Sequence, residues 1–279
     1  MHKILVMTDI HLCDAGETII GLDPLDQFQR ALDHAAKTHP DAKALFLTGD
    51  LTHAGTPAQY QALKTAIDGY PIPITLLIGN HDEREPFLAA FPDAPQGPDG
   101  FIQSVQTIGD DVIITLDTVD RSLDSLMGHA GFLCPARLAW LEQQLIDAGD
   151  ARVLLFLHHP PHDIGFPGMD MIRMRNGDEL LALLNRFPNV AHFFAGHVHR
   201  TISGTTQGQS FSMFKSTCHQ MPMVTDVCDP SLSVEEPAAY GIIFVTDDSI
   251  VVHSEDYDIA VDAGAAKRDG ASQVTADRV

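Results

Sequence analysis

Basic side chains are scarce in this chain. Only 17 lysines and arginines stand against 38 aspartates and glutamates, a formal net charge of -21 over 279 residues. Such a balance repels a nucleic-acid backbone and an anionic membrane surface, so neither is the expected partner. Cysteine is sparse as well. Cys13, Cys134, Cys218 and Cys228 are scattered, with no Cys-x-x-Cys pair. That argues against a disulfide framework and a zinc ribbon, and it fits a reduced, cytoplasmic setting. No apolar run reaches the length of a membrane span. Lys3 is followed by only a few apolar residues before Asp9, too short for the apolar region of a signal peptide. What remains is an ordinary apolar fraction of 44%, in a chain long enough to bury a substantial core.

The apolar residues fall into short runs with polar ends. Ala44 to Thr48 is followed by Gly49-Asp50, the pattern of a strand buried on both faces that turns sharply and delivers a carboxylate to the sheet edge. Lys3 to Thr8 runs into Asp9-Ile10-His11, where alternation along an extended chain puts Asp9 and His11 on one side. Pro73 to Ile78 runs into Gly79-Asn80-His81-Asp82, Val153 to Leu157 into His158-His159-Pro160-Pro161, and Val190 to Ala195 into Gly196-His197-Val198-His199. Between them, Asp23-Pro24 and Thr56-Pro57 read as helix starts, each a capping side chain followed by proline at the first helical position. Phe28, Ala31, Leu32 and Ala35 then recur at helical spacing, as do Tyr60, Leu63 and Ile67. Further helices are expected over Pro135 to Leu145 and Gly177 to Arg186. Phe101 to Val105 and Val112 to Leu116 read as strands about a Gly109-Asp110-Asp111 turn. Alternating strands and helices argue an α/β fold with a parallel sheet. Thr201 to Thr206, Ser210 to Lys215, Tyr240 to Thr246 and Ile250 to Glu255 read as a β-rich C-terminal part, and residues from about Asp262 as a mobile tail.

A single strand-end aspartate is more often a helix cap or turn former, and a histidine in an apolar strand, such as His192, is more often a core residue. Five strand ends carrying such groups on one sheet edge are harder to ascribe to packing. Imidazoles, carboxylates and one amide oxygen, without thiolates, suit borderline transition metals and not a structural zinc site. So many ligands suit two metals, with Asp50 at the centre of the set as the carboxylate to bridge them.

Asp9-x-His11, Gly49-Asp50, Gly79-Asn80-His81-Asp82, His158 and Gly196-His197-x-His199 together resemble the calcineurin-like metallophosphoesterases, in order and spacing, over roughly the first 200 residues. His158-His159-Pro160-Pro161 and Ser216-Thr217-Cys218-His219-Gln220 are most similar to the bacterial class III cyclic nucleotide phosphodiesterases and glycerophosphodiesterases. The resemblance implies a four-layer αββα sandwich of two mixed β-sheets flanked by helices. Residues 1–260 would form one domain, with a motif-bearing core over 1–200, a β-rich part over 201–260 and a mobile tail over 261–279.

By the same resemblance, Asp9, His11, Asp50 and His199 hold one metal, and Asp50, Asn80, His158 and His197 the other, each manganese, iron or zinc. A hydroxide between the metals attacks phosphorus, His81 stabilises or protonates the reacting phosphate, and His219, with Asn80 and His81, contacts substrate. In related protein phosphatases an aspartate supports the catalytic histidine. His53 stands at that position here, which leaves Asp82 as a candidate support. Two divalent ions partnered by two aspartates and a hydroxide leave a core charge of about plus one, matched to a diester monoanion. The expected activity is hydrolysis of small phosphodiesters of cyclic nucleotide or glycerophosphodiester type, by a homo-oligomer, dimer or larger, associating through the C-terminal β region. A phospholipase C-type activity, which requires an apolar entrance, and a phosphomonoesterase activity are alternatives. A non-catalytic scaffold of the same fold would have lost ligands, and none of the matched positions is lost.

Overall fold

The computed structural model describes residues 1–122 and 128–258. The proposed tail lies outside the described residues. Eleven strands among the described residues form two sheets. The first joins β1 (His2–Met7), β2 (Ala44–Thr48), β3 (Ile74–Leu77), β10 (Tyr240–Val245) and β11 (Ile250–Glu255), in the order β11-β10-β1-β2-β3. The second joins β4 (Ser104–Ile108), β5 (Asp111–Thr115), β6 (Val153–Leu157), β7 (Val190–Ala195), β8 (Ile202–Thr206) and β9 (Gln209–Met213), in the order β4-β5-β6-β7-β9-β8. Both sheets are mixed: β1, β2 and β3 run parallel, as do β5, β6, β7 and β9, while β10 and β11 add to the first sheet, and β4 and β8 to the second, through antiparallel pairs.

These are the two mixed sheets that the family resemblance implies, whereas the single parallel sheet suggested by the strand pattern alone is corrected. The ligand-bearing strands divide between two sheets that face each other. Period-two alternation explains why both faces of these strands are apolar. In β1, Leu5 and Met7 point to a helix layer while Ile4 and Val6 point between the sheets; Leu45 and Leu47 divide from Ala44 and Phe46 in β2 in the same way. In β6, Val153, Leu155 and Leu157 face helices, and Leu154 and Phe156 face the other sheet. Phe46 and Phe156 stack across the gap, centroids 4.3 Å apart.

The helices complete the four layers. α1 (Pro24–Thr38), α2 (Pro57–Ile67) and α3 (Arg84–Ala90) cover the first sheet with Phe28, Ala31, Leu32, Tyr60, Leu63 and Phe87. α4 (Pro135–Asp147), the short α5 (Pro167–Met171) and α6 (Gly177–Leu184) cover the second with Leu141, Leu145, Leu180 and Leu181. The anticipated caps are present: the Asp23 carboxylate accepts from Leu25 N and Asp26 N, and the Thr56 hydroxyl from Gln59 N. The α3 and α5 helices were not anticipated, being too short to show a period. β4 begins three residues later than Phe101, because Ile102 N donates to the buried Asp117 carboxylate instead of a strand partner, and Arg137 lies over the Phe101 ring.

Candidate metal centre

The motif residues lie just past the ends of β1, β2, β3, β6 and β7, not within them. Their backbone is unusual. Asp9, His11, Asp50, His197 and His199 all have positive φ, between 46° and 74°. For residues with a Cβ this left-handed conformation is uncommon and costs of order 1 kcal/mol or more each, and it concentrates at functional sites. Asp9 and His11 reach one site through these turns, and not through the extended alternation anticipated from sequence. Glycines provide the approach. A Cβ on Gly79 would lie 2.3 Å from Asp50 Oδ1, and one on Gly49 would lie 2.5 Å from His158 Nδ1.

The side chains converge on Asp50. Its Oδ2 lies 3.3 Å from His158 Nε2 and 3.6 Å from His11 Nε2, while its Oδ1 accepts from the backbone N–H of His81 at 2.8 Å. On one side, His11 Nε2 is 3.1 Å from His199 Nε2, which is 3.6 Å from Asp9 Oδ1. On the other, His158 Nε2 is 3.2 Å from Asn80 Oδ1. Both Asp9 oxygens accept from the N–H of His197 at 3.0 Å, so its ring is held over the same floor. One carboxylate thus lies between two groups of donors.

The outward nitrogens are tied down. His158 Nδ1 lies 2.9 Å from the Thr48 carbonyl, and His199 Nδ1 lies 2.8 Å from the His219 carbonyl. Donation to a carbonyl fixes the tautomer and leaves each Nε2 lone pair pointing inward, as metal-binding histidines require. Both ring nitrogens of His197 are buried without a hydrogen-bond partner. Buried polar atoms are rarely left so.

Charge follows the same layout. Burial works to raise the Asp50 carboxyl, but His158, His81 and His11 outweigh it and hold it well below its usual range. Burial pushes His11 and His197 well below theirs. Against its own burial, His158 is raised to about 9 by Asp50 and Asp9. The ionised carboxylate and neutral imidazoles are ligand forms, and the raised His158 reflects the negative charge of Asp50 and Asp9, against which a metal ion would compete with its proton. The donor set therefore fits a binuclear metal site. Groups of His and Asp donors with ligand atoms within 4.8 Å of one another include Asp9 with His11 and Asp50, and His158 with His159 and His197.

His159 is engaged elsewhere. Its Nδ1 is 2.7 Å from the Thr118 hydroxyl and its Nε2 is 3.1 Å from the His129 carbonyl. His81 lines the cavity above Asp50, and its Nδ1 lies 2.8 Å from the His53 carbonyl. Asp82, the sequence's candidate for that support, does something different. Its carboxylate accepts from Gly79 N, Leu51 N, Thr52 N, the Thr52 hydroxyl and the Tyr60 hydroxyl, joining the loops that carry Asp50 and Asn80. His219 also lines the cavity, its imidazole pushed down to about 2 by burial and by His199, His53 and His81.

Sequence reasoning missed His129, whose Nδ1 lies 3.1 Å from Asn80 Nδ2, and Arg121, which donates to the Asn80 carbonyl at 3.0 Å. Neither belongs to a periodic segment or a local motif. His192 is the core-type residue anticipated, stacked on Phe194 and 3.0 Å from the Ser212 hydroxyl.

A family model described as "Calcineurin-like phosphoesterase" matches residues 2–201. The chain belongs to the calcineurin-like phosphoesterase family. Among curated relatives, a Rhodopseudomonas palustris protein named "Probable cyclic nucleotide phosphodiesterase" is 38% identical over 90% of this chain and 91% of its own. The glycerophosphodiester phosphodiesterase GpdQ of Enterobacter lignolyticus is 35% identical over 72% of this chain and 71% of its own. Among solved structures, a dimetal phosphatase from Danio rerio superposes with a TM-score of 0.69 at 15% identity, covering 91% of this chain and 95% of that one. That superposition bears on the fold, and it is the two-sheet arrangement described above.

Proposed function

We propose that this calcineurin-like phosphoesterase is a two-metal phosphodiesterase acting on small organic phosphodiesters. Asp9, His11, Asp50 and His199 would hold one ion, and Asp50, Asn80, His158 and His197 the other. The observation that carries this reading is the position of Asp50 Oδ2, between His158 Nε2 at 3.3 Å and His11 Nε2 at 3.6 Å. When bound, two such ions supply Lewis acidity towards phosphoryl oxygens and an acidified water for in-line displacement. Manganese, iron and zinc all suit these donors.

The chain's own residues do the rest. Asp50 and Asn80 stay fixed because Asp82 clamps their two loops. With Nδ1 against the His53 carbonyl, His81 presents Nε2 to the cavity, where it can hydrogen-bond a phosphoryl oxygen or carry a proton to the departing alkoxide. His219 stays neutral under its surroundings and can contact a phosphate oxygen without adding charge.

The relatives' names support a diester, and the acidic chain disfavours long nucleic acid. None of the described helices is long and apolar enough to cross a membrane. Action as a cytoplasmic homo-oligomer completes the proposal. The test is turnover of bis(p-nitrophenyl) phosphate against p-nitrophenyl phosphate by manganese-reconstituted protein. Diester hydrolysis that disappears with chelation is expected. Hydrolysis of the monoester alone would overturn the diesterase assignment.

A further inference from the structure

The centre opens into a cavity of about 570 Å³. Its floor is the ligand set with His81 and His219, but one wall is of another character. Met169, Met171, Ile172, Val198, Met221 and Leu232 line it, with Pro230, Ser231 and Ser233 beside Leu232. Among the described lining residues there is no lysine or arginine, Asp50 is the only acid, and no Phe, Tyr or Trp is present. A wall made this way has nothing to pair a second phosphate, nothing to neutralise an ammonium head group, and no aromatic cage for one. What it can hold is uncharged apolar surface, and methionine adapts to varied shapes.

The wall is built, not a loose flap. A Cβ on Gly168 in α5 would lie 2.6 Å from the Asp229 carbonyl carbon, so helix and loop are in direct backbone contact. Cys228 Sγ is 3.3 Å from Met171 Sδ. Gln220 and Val234 pair through two backbone hydrogen bonds of 3.0 and 2.8 Å, anchoring both ends of the segment that carries Met221 and Leu232. At the rim Met171 is 49% exposed, so apolar surface reaches the mouth.

We propose that this wall receives a neutral, apolar ester arm of the substrate, and so selects diesters carrying one over diesters with small polar or charged arms. The assignment rests on the phosphodiesterase reading and adds the class of diester. The phosphate sits on the ligand floor, and the arm lies along Met169, Met221 and Leu232.

The experiment keeps the leaving group constant. Metal-reconstituted protein is given p-nitrophenyl diesters whose second arm is methyl, hexyl, phenyl or choline. The hexyl or phenyl compound should exceed the methyl compound in kcat/KM by about tenfold or more, a fraction of what full burial of such an arm could give. The choline compound should not exceed it. In Leu232→Gln the hexyl-to-methyl ratio should fall towards one; the parent series decides if that variant does not fold. Preference for phenyl, matched by turnover of cyclic AMP, would identify the arm as a planar ring system, and preference for hexyl would identify it as an alkyl chain. Equal kcat/KM for methyl, hexyl and phenyl, or a preference for choline, would overturn the proposal while leaving the diesterase reading intact. No turnover of any diester would overturn both.

Discussion

His81 Nδ1 lies 2.8 Å from the carbonyl oxygen of His53, so a backbone group and not a carboxylate sets the direction of this imidazole. The His53 side chain is exposed apart from its Nδ1, 3.4 Å from His11 Nδ1, and its removal leaves the carbonyl in place. His53→Ala should therefore keep turnover of the parental order. His81→Ala should keep its metals and lose about 10²–10⁴-fold, the usual size of an acid/base contribution. The loss should be deeper for glycerol- or ribose-type leaving groups than for p-nitrophenolate, which needs no proton. Comparing kcat and metal content for both variants on both ester types checks this. Metal loss in His81→Ala would make it a ligand.

His158 and His159 are adjacent, buried and nearly perpendicular, yet their partners differ. His158 Nε2 faces Asp50 and Asn80, whereas both nitrogens of His159 are engaged by Thr118 and the His129 carbonyl. His158→Ala should lose bound metal. His159→Ala should retain it and lose stability instead, about 1–3 kcal/mol for leaving buried partners unpaired. Metal analysis beside a urea titration distinguishes the two, and the reverse pattern would exchange their roles.

Gly79 has no room for a side chain, since its Cβ would meet Asp50 Oδ1 at 2.3 Å and His158 Cε1 at 2.7 Å. Gly79→Ala should displace the shared carboxylate, weakening metal retention during dialysis as well as costing about 1–3 kcal/mol from overpacking. Unchanged metal content would mean that the loop yields freely.

His192 and His162 predict a pH dependence of stability. Burial lowers both to about 4. An unfolded histidine titrates near 6.5, so between these values the unfolded chain binds more protons than the folded one. Their contribution to stability is present above about pH 6.5 and is lost as pH falls towards 4. Asp82, pushed up to about 6 by burial and by Asp50, acts in the opposite sense. The comparison is therefore between parent and His192→Gln. Urea midpoints of the variant should fall less steeply from pH 6.5 to 4, and parallel curves would contradict the assignment.

Much of this was legible in the sequence because the strands are buried on both faces. Continuous apolar runs such as Leu45-Phe46-Leu47 are hard to mistake, and each ends abruptly in a polar motif. Sheet membership was not legible, since nothing local to β2 or β6 says that Phe46 and Phe156 face each other across two sheets. The left-handed turns at Asp9 and His11 were hidden for a similar reason: only the assembled site imposes that backbone on residues with a Cβ. His129 and the methionine wall come from loops and a five-residue helix, where no periodicity exists to read.

The central claim is that Asp50 is shared by two metals, and metal stoichiometry tests it most directly. After equilibrium dialysis against manganese, the parent chain should retain two ions and Asp50→Ala fewer than two, with diester turnover nearly abolished. Two tightly held ions and normal turnover in Asp50→Ala would contradict the account.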